Sequence, residues 1–164
     1  MNLMKEWSVF GADRSQPWLQ KKGCSIEVAE LARNCDALLS TSTWTPTLDA
    51  GMPVVLFPVV REGELIDIVA FEPTKPDRFY LRAGVDCMLG ADNAAHASVY
   101  RLPLRVHETP LEWLVGGMIG CCPLTWDARK HLMGVIEIES SEAMFKSVIA
   151  SLAEMYPTPK RRAT

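Results

Sequence analysis

Residues 53–71 constrain the fold of this chain more than any other part of its sequence. The segment is PVVLFPVVREGELIDIVAF, in which a run rich in β-branched and aromatic residues lies on each side of Glu62-Gly63. Two such runs joined by a short turn that contains glycine are typical of a β-hairpin. Pro73 and Pro76 are expected to end the second strand, and residues 79–81 predict a third short strand.

From residue 102 onward the pattern changes to strands that alternate with helices. Residues 102–107, 122–126 and 135–139 favour strands, and each is followed by a segment that favours a helix: 109–118, 127–133 and 142–155. Thr109 is the expected N-cap of the first of these helices, with Pro110 at its first position, and Ser140 or Ser141 is expected to cap the last one. Strands that alternate with helices predict a parallel sheet with helices on its faces.

The sequence therefore predicts an α/β fold with a βαβαβα parallel sheet, preceded by an N-terminal helical segment and the hairpin. The expected organisation is a subdomain over 1–101, a core over 102–155 and a flexible basic tail over 156–164, with the first two forming one compact unit. Within the first subdomain, Ser25 and the apolar spacing that follows it predict a helix over 26–39. Residues 40–50 are expected to be a loop or an irregular edge, and residues 91–99 are expected to be a loop.

Composition sets limits on the function. The chain has 164 residues, of which 48% are hydrophobic and 23% charged, as expected for one globular domain. A net charge of −3 gives no overall attraction to nucleic acid, so any such contact needs a local basic patch. The chain has no apolar run long enough to span a membrane and no recognisable secretory signal. These features favour a cytoplasmic protein with no membrane contact.

The cysteines carry no metal-binding spacing. They are odd in number and contain no C-x-x-C pair: Cys24, Cys35, Cys87, Cys121 and Cys122. This pattern predicts free thiols, most of them buried, without a structural zinc ion and without disulfides. The adjacent Cys121 and Cys122 are expected to point to opposite faces of a strand.

Three carboxylates are the candidate functional residues. Glu108 follows the first strand of the alternating region, and Glu137 and Glu139 lie two residues apart on the third, where side chains share a face. If these two strands are neighbours, the three side chains converge and offer the oxygen ligands that Mg²⁺ prefers. The alternative is that Glu137 and Glu139 are solvated surface and that Glu108 favours the start of a helix.

Two segments carry a resemblance to the Toprim part of phage and plasmid primases. VHETPLEWLVGGMIG (106–120) resembles the first strand and helix of that family, which contain E-G-P-x-D-x-L, and Glu137-Ile138-Glu139 would take the place of its D-x-D. The hairpin, and KKGCSIEVAELARN (21–34) before it, are similar to the segment that precedes the family's core. Glu112 and Thr109 replace the family's aspartate and glycine.

The resemblance implies a primase-related protein of a phage or mobile element. In that family the glutamate is a general acid or base and the D-x-D pair holds Mg²⁺, so Glu108 would be catalytic and would share the metal with Glu137 and Glu139. Four arginines are candidates for contact with nucleic acid, or else form a solvated face: Arg78, Arg82, Arg101 and Arg105. The altered acids leave enzymatic activity open. The alternatives are an inactive descendant that binds or inhibits a protein partner, and a structural module that forms homo-oligomers through the hairpin edge.

Overall fold

A computed structural model describes residues 2–84 and 87–155 of the chain. Its largest element is a five-stranded antiparallel sheet, whose strands in chain order are β1 (Arg33–Leu39), β2 (Trp44–Pro46), β3 (Met52–Arg61), β4 (Glu64–Glu72) and β5 (Lys75–Leu81). The spatial order is β2-β1-β3-β4-β5. Every pairing between neighbours in this sheet is antiparallel.

The hairpin predicted from the sequence is confirmed. β3 pairs with β4 from Val55 opposite Phe71 to Arg61 opposite Glu64. The turn residues Glu62 and Gly63 have φ of 53° and 80°, the positive values that a two-residue turn needs to match the twist of its strands. The predicted third strand is confirmed as part of β5. Because β1 and β5 flank the hairpin, neither of its strands is an edge strand of the sheet.

The sheet curls until its two ends meet. The Leu81 N–H at the end of β5 donates to the Ser42 carbonyl at 2.9 Å, and Thr43 and Leu81 form a parallel bridge. Trp44 lies inside this curl, 1% exposed, and its Nε1–H donates to the Ile68 carbonyl at 2.9 Å. The contact between the sheet's ends leaves little free edge for pairing with another chain.

Both faces of the sheet are covered. Three short helices precede it: α1 (Leu3–Trp7), α2 (Ser15–Lys21) and α3 (Ile26–Glu30). Leu3 and Trp7 of α1 pack against the core that contains Trp44. Leu19 of α2 and Val28 of α3 pack on the other face, in a core that also holds Phe57 and Phe71.

A buried carboxylate closes the end of the sheet. Asp67 of β4 is 0% exposed, and its two oxygens accept hydrogen bonds from four backbone N–H groups and one thiol. The donors are Ile68 N (2.7 Å), Arg82 N (2.9 Å), Ala83 N (3.0 Å), Gly84 N (2.7 Å) and Cys87 Sγ (3.1 Å). The segment after β5 is thus held to the sheet by one side chain.

The rest of the chain consists of short strands and helices. In order these are β6 (Met88–Leu89), α4 (Ala91–Tyr100), β7 (Leu104–Arg105), α5 (Pro110–Val115), β8 (Cys122–Pro123), a 3-10 helix (Asp127–Leu132), β9 (Ile138–Glu139) and α6 (Glu142–Met155). β6 and β8 pair antiparallel, and β7 and β9 pair parallel. Among residues 2–84 and 87–155, no helix is both long and apolar enough to cross a membrane.

The expected βαβαβα parallel sheet is wrong, because the principal sheet is antiparallel and lies before residue 82. In the described part of the chain after residue 101, parallel pairing is confined to the two residues each of β7 and β9, together with a bridge between Val106 and Cys121. The apolar composition correctly predicted extended backbone near residues 104, 122 and 138. It did not predict how short the hydrogen-bonded strand pairs there would be. Pro103 and Pro123 have no N–H to donate, so the hydrogen-bonded ladder cannot extend through them.

Two further predictions are wrong. The helix expected over 26–39 ends at Glu30, and residues 33–39 form β1. Pairing with both β2 and β3 stabilises the extended form there, which overrides the weak helical spacing. The loop expected over 91–99 is helix α4, whose buried side is made of small residues: Ala91, Ala94 and Ala97. The predicted basic tail 156–164 lies outside the described residues.

The two subdomains expected from the sequence share a core. The rings of Phe57 in β3 and Trp113 in α5 pack edge to face with centroids 5.9 Å apart. A second core, made by α4, the 3-10 helix and α6, surrounds Leu104 and Leu132. Cys122 belongs to the shared core and Cys121 to the second one, so these adjacent side chains do point to opposite sides.

Candidate functional site: a cleft at the carboxyl ends of β7 and β9

A cleft of about 350 Å³ lies where the only parallel strand pair among the described residues ends. Its lining comes from the segments that follow β7 and β9 and from the first turn of α5: Arg105, Val106, His107, Glu108, Glu112, Glu139, Ser140 and Ser141. Ligands of parallel sheets bind beyond the carboxyl ends of the strands, because the following loops and helix starts present polar groups there. This cleft is therefore the candidate site.

The wall beside α5 is fixed by a capping box. Thr109 Oγ1 accepts a hydrogen bond from Glu112 N at 3.3 Å, which confirms Thr109 as the N-cap. Glu112 Oε2 in turn accepts from Glu108 N at 3.0 Å and Thr109 N at 3.3 Å. The carboxylate of Glu112 is thus occupied by backbone donors and orients the residue that precedes the helix.

Glu108 is held from the opposite side by the start of α6. Ser141 Oγ donates a short hydrogen bond to Glu108 Oε1 and accepts one from Met144 N at 3.2 Å. Ser141 therefore caps α6 and positions Glu108 at the same time. Within residues 2–84 and 87–155, Glu108 Oε2 makes no hydrogen bond or ion pair, so it is available to a ligand.

Glu139 enters the cleft from β9. It lies opposite Arg105 in the parallel register, and the two side chains form an ion pair with Nη2–Oε2 at 3.5 Å. Both are more than half exposed, at 54% and 59%, so solvent screens the pair and it stabilises the fold little. A ligand can therefore compete for either charge at small cost.

The structure brings together two of the three predicted acids. Glu108 and Glu139 line the cleft, whereas Glu137 is exposed and does not line it. The Glu137 carbonyl accepts from Leu104 N at 3.0 Å, which places Glu137 directly before β9, at the end of the strand away from the cleft. Sequence reasoning missed Glu112 and Ser141 as site residues. The T-P-L-E spacing of a capping box was a signal for Glu112.

The donors of the cleft match only one mode of metal binding. Within the described ranges 2–84 and 87–155, no group of three or more His, Cys, Asp and Glu side chains is placed to hold a metal ion. Mg²⁺, however, is often held by one or two carboxylates, with water and substrate phosphates completing its shell. Glu108 and Glu139 fit that mode, and they do not fit a cage built from protein ligands alone.

The four candidate arginines lie in different places. Arg82 pairs with Glu6 at 2.9 Å and stacks over the Trp44 ring, which makes it part of the closure of the sheet. Arg78 is on β5 beside Ser40. Arg101 follows α4, and Arg105 lines the cleft. Of the four, Arg105 is the one that lines the cleft together with the acids.

Thiol chemistry is disfavoured in this chain. Four of the cysteines are buried, and Cys35 is intermediate in exposure. Burial raises the pKa of Cys35 to about 11 and the pKa of Cys121 to about 12. A thiol with such a pKa is protonated at neutral pH and is a poor nucleophile or metal ligand.

Comparison with protein-family models, with curated proteins and with solved structures finds no match to this chain. The resemblance to Toprim primases therefore stays a prediction from the sequence. What can be said of function rests on the geometry of the cleft and its surroundings.

Proposed function

We propose that this chain is a primase-related nucleic-acid-binding protein that holds a divalent cation, Mg²⁺, against a phosphate in the cleft at the ends of β7 and β9. The observation that carries the proposal is that Glu108, in the segment after β7, and Glu139, at the end of β9, line one cleft. Arg105 at the same place supplies a positive charge that suits a phosphate oxygen. Mg²⁺ would supply charge neutralisation of that phosphate.

Each residue has a separate part in this proposal. Glu108 and Glu139 offer carboxylate oxygens, Ser141 holds Glu108 in place, and Arg105 contacts the phosphate. Because only two carboxylates take part, the cation binds weakly until a phosphate completes its coordination. The proposal is one of binding and assigns no bond-breaking step to the cleft.

The test is a melting curve of the full chain with and without 10 mM Mg²⁺. A site with a Kd of about 1 mM raises the melting temperature by about 3 °C at that concentration. Glu108→Gln and Glu139→Gln should abolish the increase, since each removes one charged ligand. Binding of Mn²⁺, followed by water-proton relaxation, measures the same site directly.

Glu137→Gln is the matched control. It makes the same chemical change two residues before Glu139, just outside β9 and outside the cleft. This variant should keep the full response to Mg²⁺. If Glu137→Gln and Glu139→Gln respond alike, or if the native chain gives no response, the cation site does not exist.

A second candidate is a protein-binding module without catalytic activity. A groove of about 630 Å³ lies between α1, β1 and the segment after β2, and its lining includes two highly exposed apolar side chains, Val9 and Leu48. Exposed apolar side chains around a groove are typical of interaction surfaces. Loss of the Mg²⁺ response together with measurable self-association of the chain in sedimentation experiments would favour this alternative.

A further inference from the structure

The groove between α1, β1 and the segment after β2 is held in shape by the chain itself. Asn34 of β1 lies at its floor, where Asn34 Oδ1 accepts from Arg14 N at 3.1 Å and Asn34 N donates to the Gly11 carbonyl at 2.6 Å. Phe10, in one wall, packs on the Trp44 ring with centroids 5.9 Å apart. Because the floor and this wall are already ordered, a partner that enters the groove loses little free energy to ordering it.

The loop between β2 and β3 presents an apolar side chain at the rim of this groove. Leu48 lines the groove and is fully exposed to solvent. The loop is fixed against β1, because Thr47 N donates to the Asp36 carbonyl at 3.0 Å. Gly51 ends it so close to β1 that the Cβ of any other residue would lie 2.8 Å from Ala37 N. Leu48 therefore projects from an anchored loop and does not reach the chain's own core.

The rim of the groove carries one positive and one negative charge. Arg14 Nη1 lies 3.0 Å from Asp36 Oδ1, and the two side chains are 49% and 43% exposed. Solvent screens such a pair, so either group can also contact a partner at small cost to the fold. The acid of the opposite wall, Glu6, is neutralised within the chain by Arg82 at 2.9 Å. The charges that face a partner are therefore balanced.

These features match a second copy of the same chain. A two-fold interface brings one surface against itself, so that surface must contain a projection together with a depression, and opposite charges. Leu48 and the groove supply the projection and the depression, and Arg14 and Asp36 supply the charges. The hairpin edge, which the sequence suggested for self-association, is not available, since β3 and β4 are both internal strands of the sheet.

We propose that two copies of this chain associate through the groove, with Leu48 of each copy in the groove of the other and Arg14 of each copy facing Asp36 of the other. The interface consists of one groove and one loop from each copy, which places it among small, transient interfaces, with a Kd on the order of 10–100 μM. The inference does not depend on the cation site, because among the described residues the linings of the groove and of the cleft have no member in common.

Sedimentation equilibrium of the full chain tests the proposal, over about 5–500 μM and in EDTA, so that the range brackets the expected Kd. The average mass of the native chain should rise from that of one chain toward that of two. Leu48→Asp should weaken association by about tenfold or more, because it moves a charge into an apolar groove. Val99→Asp is the matched control, since Val99 is 74% exposed on α4, outside the groove. This variant should associate like the native chain.

A charge exchange separates contact between copies from an effect on folding. Arg14→Glu leaves two acids at the rim and Asp36→Arg leaves two bases, so in low salt each variant alone should associate less than the native chain. An equal mixture of the two should associate again, because opposite charges then meet across the interface, although the ion pair within each chain stays lost.

Three results overturn the proposal: a native chain that is monomeric at every concentration, equal association of Leu48→Asp and Val99→Asp, or a mixture that associates no more than its two components. A monomeric native chain with an intact Mg²⁺ response refutes this inference alone. Association without an Mg²⁺ response refutes the cation site alone.

Discussion

The five-stranded sheet and the segment after residue 102 are stabilised in different ways. β3 has ten residues and pairs with a neighbour on each side, whereas β7 and β9 have two residues each. The sheet is therefore held by continuous backbone hydrogen bonds. The later segment depends on single side chains, such as Asn93, which fixes a loop, and Ser141, which joins α6 to Glu108.

This difference explains where a binding site can arise. A backbone ladder uses its N–H and C=O groups internally and leaves little for a ligand. Short strands end early, and the polar side chains that follow them meet at one place. The cleft lies in the second region, while the sheet supports it through the contact of Phe57 with Trp113.

The largest expected effect comes from Asp67, a single side chain on which one end of the sheet depends. Asp67→Ala removes the acceptor of four buried backbone N–H groups and one thiol, and we expect it to lower the free energy of unfolding by about 3–5 kcal/mol. Urea denaturation measures the effect. Asp77→Ala, at an exposed acid on β5, should cost less than about 0.5 kcal/mol. A small loss for Asp67→Ala would mean that the ladder alone holds this end of the sheet.

Two valines with the same burial allow the stability of the two regions to be compared directly. Val59 in β3 and Val148 in α6 are both 0% exposed. Truncation to alanine removes the same two methyl groups, worth about 1.6 kcal/mol plus a cavity cost. Alanine is a poor strand residue and a good helix residue, so the loss should be about 3 kcal/mol at Val59 and about 1–2 kcal/mol at Val148.

Urea denaturation of both valine variants gives the two values under the same conditions. Hydrogen exchange adds the regional information: Val148→Ala should speed exchange in α6 and leave β3 and β4 protected. Equal losses at the two positions, with the same pattern of exchange, would show that the two regions unfold as one unit and that the contrast has no energetic meaning.

The sequence predicts the parts of this fold that local chemistry decides. The hairpin follows from β-branched runs around Glu62-Gly63, and α5 from Thr109, Pro110 and Glu112, because turns and caps depend on residues close together in the chain. β1 was missed because its partners, β2 and β3, are later in the sequence. The spacing of residues 26–39 could not reveal that pairing. The alanines of α4 give no strong apolar signal, so its sequence resembles a loop.

The candidate site was predictable in part for the same reason. Position after a strand correctly suggested that Glu108 and Glu139 would lie near each other, since carboxyl ends of parallel neighbours meet. Glu137 was included because alternation alone does not say where a strand ends.

The smallest expected effect concerns the adjacent thiols, which report on both cores. Burial raises the pKa of Cys121 to about 12 and also raises the pKa of Cys122. In the unfolded chain both thiols ionise near pH 9, so the folded chain binds more protons above that pH. The free energy of unfolding is therefore unaffected below about pH 8 and falls as pH rises from there toward 12, by at most about 1.4 kcal/mol per thiol per pH unit.

Melting temperatures at pH 8 and 9.5 measure this slope. The variant carrying Cys121→Ala and Cys122→Ala should show a smaller slope than the native chain, whatever its stability at pH 8. A full slope in that variant would mean that these thiols are accessible to water, and that the packing of the second region against the sheet is looser than the burial of Cys122 indicates.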